Sequence, residues 1–140
     1  MQYQRFGNKV VARLDKGEEV LETIKSLCQK ENIKLASVLG IGAVKNTELR
    51  YFNPETKQYH DQIFENSYEA APISGNISRM NQEVYLHLHA SLGGADFGSI
   101  AGHLKSAVVS ATLECVLDII EGGVEREFSG EVGLNLLNFK

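Results

Sequence analysis

The chain has 140 residues, of which 43% are hydrophobic and 23% charged, and its formal net charge at pH 7 is −4. This length and composition predict a single globular domain over residues 1–140. The acidic balance argues against an autonomous nucleic-acid binder, which normally has an excess of Lys and Arg. The apolar runs are shorter than the ~20 residues that cross a bilayer, and the first residues lack a signal-peptide core, so we predict a cytoplasmic protein without membrane partners.

The N-terminal part predicts a β-hairpin followed by a helix. Residues 3–6 and 10–14 are β-prone and flank a Gly7-Asn8 turn. Apolar residues then recur at helical spacing, with Glu early and Lys late, as the helix dipole favours. This pattern predicts a helix over residues 18–31 whose apolar face packs on a sheet.

The middle of the chain predicts strands separated by turns. Lys45-Asn46 is predicted to turn the chain, and Pro72 is predicted to interrupt an irregular strand. The pair Gly40-x-Gly42 lacks the third glycine and the following helix of a dinucleotide-binding loop, so it indicates a bulge or a bend. The predicted strands cover residues 34–44, 47–52, 58–64 and 67–78.

The next strand carries the candidate site. Between residues 84 and 92 apolar and polar side chains alternate strictly, which predicts a β-strand with one polar face. His87 and His89 share that face and lie roughly 7 Å apart at about 3.3 Å rise per residue. One metal ion at about 2.0–2.1 Å from each nitrogen can bridge that span. His103 follows a glycine-rich turn, and we predict that these three histidines form one metal site; the alternative is that they are ordinary strand histidines.

The remaining residues support a mixed fold with few helices. Residues 107–117 are apolar on both faces and predict a central strand, residues 124–128 a short strand, and residues 133–137 an apolar tail docking on the core. Cys28 and Cys115 lie in apolar patterns without CxxC spacing, so we predict buried thiols. One helix and seven or more strands predict an α+β fold, with a strongly bent, mostly antiparallel β-sheet and one main helix packed on it. His60 lies near a turn and is predicted to be exposed, outside the site.

The chain resembles the PPC domain, the "plants and prokaryotes conserved" domain formerly of unknown function, over nearly its whole length. The segments that carry the resemblance are Gly17-Glu18, ASVLGIGA at residues 36–43, ISGNI at 73–77, HLHASL at 87–92 and GHL at 102–104. The resemblance implies a PPC-like fold that forms homotrimers. For prokaryotic members it implies a metal site that maps onto His87, His89 and His103, with zinc as the occupant. Plant members pair the domain with an AT-hook that binds A·T-rich DNA, and this chain contains no such segment.

Three classes of function fit these observations, and the third is a DNA-binding protein without an AT-hook, for which the composition does not supply a basic surface. The first is a homotrimeric metal-binding protein of regulatory or DNA-binding-associated type that holds zinc or another divalent metal. DNA is a possible partner, although neither the charge nor an AT-hook supports it. The alternative is a zinc-dependent lyase or hydrolase that uses the three histidines with an open coordination position, where bound water reaches a pKa of about 7. Glu114 or Asp96 could then act as a general base, and Ser91 would be a hydrogen-bonding neighbour of the site.

Overall fold

The computed structural model describes residues 1–139, which form nine β-strands and one α-helix, α1 (Val20–Lys30). The strands are β1 (Gln2–Phe6), β2 (Lys9–Asp15), β3 (Ala36–Asn53), β4 (Gln58–Phe64), β5 (Tyr68–Met80), β6 (Glu83–Gly93), β7 (Ser99–Ile119), β8 (Glu125–Ser129) and β9 (Leu134–Asn138). Paired strands are antiparallel except β5 and β8, so the predicted α+β class with a mostly antiparallel sheet is confirmed. Among these residues no helix is both long and apolar enough to span a membrane.

Four strands pair in a closed circuit. β3 pairs with β5, β5 with β6, β6 with β7, and β7 again with β3. The first residues of β7 pair with β6, whereas its later residues pair with β3 and β2, so this long strand must bend. Register shifts in β3 and β5 supply the bulges that bend strands. The predicted strong bend of the sheet is therefore confirmed.

The helix covers one side of the sheet and contacts β6 and β7. Its cap is Glu19, whose carboxylate accepts hydrogen bonds from the backbone N–H groups of Glu22 (2.7 Å) and Ala107 (3.0 Å). Because Glu19 is the cap, the helix begins two residues later than predicted. Ile24 and Leu27 are fully buried in the core, and each such side chain contributes roughly 1.5–3 kcal/mol by burial. The predicted burial of both cysteines is also confirmed.

Several predicted boundaries were wrong, and long-range pairing explains why. The predicted turn at Lys45-Asn46 is a bulge inside the continuous strand β3, with Asn46 at φ 48°. Residues 99–119 form one strand, whereas we predicted a central strand over residues 107–117 only. The C-terminal tail does not dock on the core. It forms the β8–β9 hairpin, which leaves Leu136 and Leu137 exposed by 41% and 37%.

Candidate metal site and adjoining pocket

A β-hairpin brings the three predicted histidines together. His87 and His89 lie on the same face of β6, and His89 lies directly opposite His103 on β7. The connecting turn is closed by a hydrogen bond from the Gly94 N–H to the Gly98 carbonyl (2.8 Å), and the Asp96 carboxylate accepts from the Gly98 N–H (2.9 Å). The side-chain proximity of His103 to the other two therefore follows from local antiparallel pairing.

The three rings lie close enough together to share one metal ion. Their centroids are separated by 5.2 Å (His87 to His89), 5.3 Å (His87 to His103) and 5.4 Å (His89 to His103). One nitrogen from each ring lies within 4.8 Å of the other two. Tetrahedral coordination with nitrogens about 2.0–2.1 Å from zinc places imidazole centroids about 5.2 Å apart. The residues present therefore fit a divalent ion such as zinc, and the exposed His60 on β4 is not one of the cluster.

The surroundings keep two of the imidazoles neutral. Burial lowers the pKa of His103 to about 4, and the neighbouring His87 and His89 add to this effect. Burial also lowers the pKa of His87, followed by the positive charge of Arg126. Because a metal binds the neutral form of imidazole, these environments leave ring nitrogens free to act as ligands near pH 7.

Beside the cluster lies a buried guanidinium, that of Arg126 on β8, which is only 8% exposed. Its N–H groups donate to Ser78 Oγ (2.8 Å), Asn76 Oδ1 (2.8 Å) and the Asn135 carbonyl (2.7 Å). Its Nη2 also lies 3.4 Å from His87 Nδ1. Arg126 thus joins the β8–β9 hairpin to β5 and to the histidine cluster, while all four of these partners are uncharged.

A second arginine at the pocket, Arg50, has a compensated charge. Its guanidinium donates to both carboxylate oxygens of Asp61 at 3.0 and 2.7 Å, and it lies over the Tyr59 ring. Lys105 also contacts Asp61 (3.0 Å) and donates to Glu48 (2.8 Å). Hydrogen bonds from Arg50 and Lys105 lower the pKa of Asp61 to about 2.

The histidine cluster and Arg126 line one pocket of about 840 Å³. That volume lies in the range of about 300–1,000 Å³ that is usual for small-molecule sites. Other polar groups at the pocket are those of Arg50, Asn76, Asn135, Tyr51, Tyr59 and Tyr85, and apolar side chains complete the lining. The apolar residues are Phe52, Phe128, Leu134, Leu136 and Leu137.

The other residues considered from sequence lie elsewhere. Glu114 is exposed on the sheet between Arg13 and Ile41 and does not line the pocket. Asp96 belongs to the hairpin turn, so the general-base roles considered for these two carboxylates were wrong. Ser91 contacts Ser99 Oγ at 3.5 Å.

Sequence reasoning missed Arg126, because its partners come from distant strands. The one signal available was its alternation with Glu125 and Glu127 in a short strand, which places it on the opposite face from both.

Comparison with known families gives one match that covers most of the chain. The model of the Plants and Prokaryotes Conserved (PCC) domain, the domain abbreviated PPC above, matches residues 1–121. The β8–β9 hairpin lies beyond the matched residues. No curated protein matches the chain.

Solved structures are similar over nearly the whole chain. A protein from Bacteroides thetaiotaomicron, provisionally described as DNA-binding, is 36% identical with a TM-score of 0.95, covering 99% of this chain and 96% of its own. A plant- and prokaryote-conserved protein from Pyrococcus horikoshii is 32% identical with a TM-score of 0.86, covering 99% and 94%. A metal-containing protein from Archaeoglobus fulgidus is 29% identical with a TM-score of 0.88, covering 99% of both chains.

Proposed function

Because the chain belongs to the Plants and Prokaryotes Conserved domain family, we propose that it is a metal-binding member, with His87, His89 and His103 holding zinc or another divalent cation. The observation that carries the proposal is the convergence of three imidazoles at centroid separations of 5.2–5.4 Å. The metal-containing relative from Archaeoglobus adds support. Three nitrogen ligands without a thiolate suit zinc, and a bound zinc would supply Lewis acidity at an open coordination position.

Metal titration of the purified protein tests this proposal. We expect the metal-free protein to take up one zinc ion per chain, measured by calorimetry and by elemental analysis after dialysis. His89→Ala removes one of three ligands and should weaken zinc binding by roughly 100-fold or more. The matched control is His60→Ala, because His60 is the exposed histidine outside the cluster, and it should bind like the unmodified protein. Equal, sub-stoichiometric zinc in the unmodified protein and in the His89 variant would contradict the proposal.

We also propose that the protein is a homotrimer, as the family resemblance implies. One sheet face supports an interface between chains: Val11, Val116 and Leu39 align across β2, β7 and β3, and Ile41 adjoins them. These side chains are exposed by 45%, 39%, 54% and 56%. A contiguous apolar patch of this kind is typical of an interaction surface.

Substitution in this apolar face (Val11, Leu39, Ile41 and Val116) tests the assembly. We expect the unmodified protein to sediment as three chains and Leu39→Glu to sediment as one, because a buried, unpaired carboxylate opposes association. Ile63→Glu is the control, since Ile63 is also exposed (62%) but lies on β4, away from this face. A monomeric unmodified protein at tens of micromolar would contradict the trimer.

A zinc-dependent lyase or hydrolase is the second candidate, favoured by the pocket of about 840 Å³ beside the histidines. No carboxylate is found among the lining residues that the structure describes, so proton transfer would fall to Tyr59 or Tyr85. Burial raises the pKa of Tyr59, which keeps its phenol protonated and able to donate. Assays with simple esters, lactams and CO₂ hydration, with a metal-free control and a Tyr85→Phe variant, test this candidate. Equal rates for the zinc-loaded protein, the metal-free control and the Tyr85→Phe variant would exclude enzymatic activity on those substrates.

A further inference from the structure

We propose that the pocket beside the histidines binds a small organic carboxylate, with its head group at Arg126 and an apolar chain along the β8–β9 hairpin. The inference deepens the proposed function, because it rests on the same site and names the class of ligand. Among residues 1–139, the side chain of Arg126 is a charge buried in a pocket whose lining includes no Asp or Glu. Buried charges in proteins are normally paired, so this cation calls for an anion that the described part of the chain does not provide.

The comparison with Arg50 shows why only one of the two pocket arginines is available. Arg50 already forms two hydrogen bonds with Asp61, so its charge is compensated within the fold. Arg126 contacts a hydroxyl, an amide oxygen, a backbone carbonyl and an imidazole, and its guanidinium lies 4.8 Å from the centre of the Tyr85 ring; none of these groups is negatively charged. An entering anion would therefore gain a charge-assisted interaction at Arg126 that it would not gain at Arg50.

The remaining donors of Arg126 fit a carboxylate. A guanidinium has five N–H groups: Ser78, Asn76 and Asn135 accept from three of those of Arg126, and Nη2 also lies 3.4 Å from His87 Nδ1. The remaining N–H on Nη1, and the N–H on Nη2 whose contact with His87 is long, can donate to the two oxygens of a carboxylate. The neutral acceptors also hold the guanidinium in place, which lowers the entropic cost of binding.

The rest of the pocket fits an apolar chain. Phe128 on β8 and Leu134, Leu136 and Leu137 around β9 line the side contributed by the hairpin, and Phe52 lines another part. Leu136 and Leu137 are exposed by 41% and 37%. A short alkyl group on the carboxylate would cover this apolar surface and gain the free energy of burial.

A head-group series on the unmodified protein tests the inference without any substitution. Hexanoate, hexanol and hexylamine carry the same alkyl chain with a negative, neutral or positive head, and calorimetry on metal-free and zinc-loaded protein gives their dissociation constants. We expect hexanoate to bind roughly tenfold or more tightly than hexanol, because only its head group pairs with Arg126. Equal affinity for hexanoate and hexanol would overturn the inference, and so would tighter binding of inorganic phosphate than of acetate.

Arginine variants locate the head group. Arg126→Gln should weaken the binding of hexanoate roughly tenfold while leaving the affinity for hexanol unchanged. Arg79→Gln is the matched control, because Arg79 is also an arginine at the junction of β5 and β8 but pairs with Glu125 outside the pocket. If Arg126→Gln fails to fold, the head-group series decides alone. An unchanged hexanoate affinity in folded Arg126→Gln protein would contradict the inference.

The two proposals can fail separately. If zinc does not bind but the affinity for hexanoate still depends on Arg126, the metal-site proposal is contradicted and the carboxylate-site proposal is supported. If one zinc binds per chain but the head-group series shows no preference for hexanoate, the carboxylate-site proposal is contradicted and the metal-site proposal is supported. His89→Ala completes the separation, since this substitution removes a metal ligand and leaves Arg126 in place.

Discussion

Asp61 shows how single charges organise the rim of the pocket. Its carboxylate lies between Arg50 and Lys105, and hydrogen bonds from both lower its pKa to about 2. The ionised form is favoured by folding, so this carboxylate adds stability at pH values above its ordinary pKa of about 3.9. That contribution is lost as the pH falls towards 2.

The first prediction follows from the lowered pKa of Asp61. Asp61→Asn should lower the melting temperature at pH 6, and the difference from the unmodified protein should shrink steadily as the pH falls from 5 towards 2. Thermal unfolding of both proteins across this range, at constant ionic strength, measures the effect. Because the pair is close to solvent, added salt should also reduce the difference. A difference that stays constant with pH would contradict the assignment.

Individual site residues could be predicted only where local geometry decides them. His87 and His89 share a face because strand side chains alternate, and a tight hairpin carries His103 back beside them. Arg126 could not be predicted in the same way. Its role depends on Ser78 and Asn76, which lie about fifty residues earlier in the chain and are brought near by tertiary packing.

At the scale of the elements, the approach of β5 to β6 sets the position of the histidine strand. Gly75 on β5 lies opposite Leu88, and a side chain at this position would overlap the carbonyl oxygen of His87. The overlapping atoms belong to backbone, which cannot move without shifting β6. The absence of a side chain at residue 75 is therefore a condition for the present placement of His87.

The second prediction tests this close approach. Gly75→Ala should lower the free energy of unfolding by about 3 kcal/mol, in the range expected for overpacking of a tight contact, and should weaken zinc binding through displacement of His87. Urea unfolding and zinc titration measure the two effects. Gly130→Ala is the control, because a methyl group there meets no atom within 4 Å, and it should change stability by less than about 0.5 kcal/mol. A Gly75→Ala variant as stable as the unmodified protein would contradict the prediction, because it would show that β6 can shift away from β5 at little cost.

The predicted element boundaries were wrong where a strand changes its pairing partner. Lys45-Asn46 looks like a turn by composition, yet β3 pairs with β5 before this point and with β4 after it. Asn46 takes a left-handed conformation without ending the strand, because Asn tolerates positive φ better than most residues. Local sequence cannot reveal that distant strands continue the ladder on both sides of the irregularity.

At the scale of the whole molecule, charge bears on the DNA-binding description of the Bacteroides relative. This chain has 18 acidic and 14 basic residues, and an assembly of three copies would multiply the net charge of −4 by three. Nonspecific DNA affinity comes mainly from Lys and Arg contacts with phosphates. The global electrostatics therefore oppose binding to duplex DNA.

The third prediction is that duplex DNA does not bind appreciably even at low salt, where phosphate contacts are strongest. We expect a dissociation constant weaker than about 10⁻⁴ M for a fluorescently labelled duplex, measured by anisotropy at low ionic strength. Zinc-loaded and metal-free protein should behave alike. Salt-dependent binding at micromolar protein would contradict this prediction and favour the DNA-associated function.

Within residues 1–139, the β8–β9 hairpin pairs with the rest of the sheet at one position, where Arg79 lies opposite Glu125. Side-chain hydrogen bonds provide its other attachments, chiefly those of Arg126 to Ser78 and Asn76, whereas β3, β5, β6 and β7 pair with one another in a closed circuit. A movement of the hairpin would break few backbone hydrogen bonds, but it would carry Arg126 away from Ser78, Asn76 and His87. Amide hydrogen exchange should accordingly be faster in β9 than in β6, and a carboxylate ligand bound at Arg126 should slow the exchange in β9.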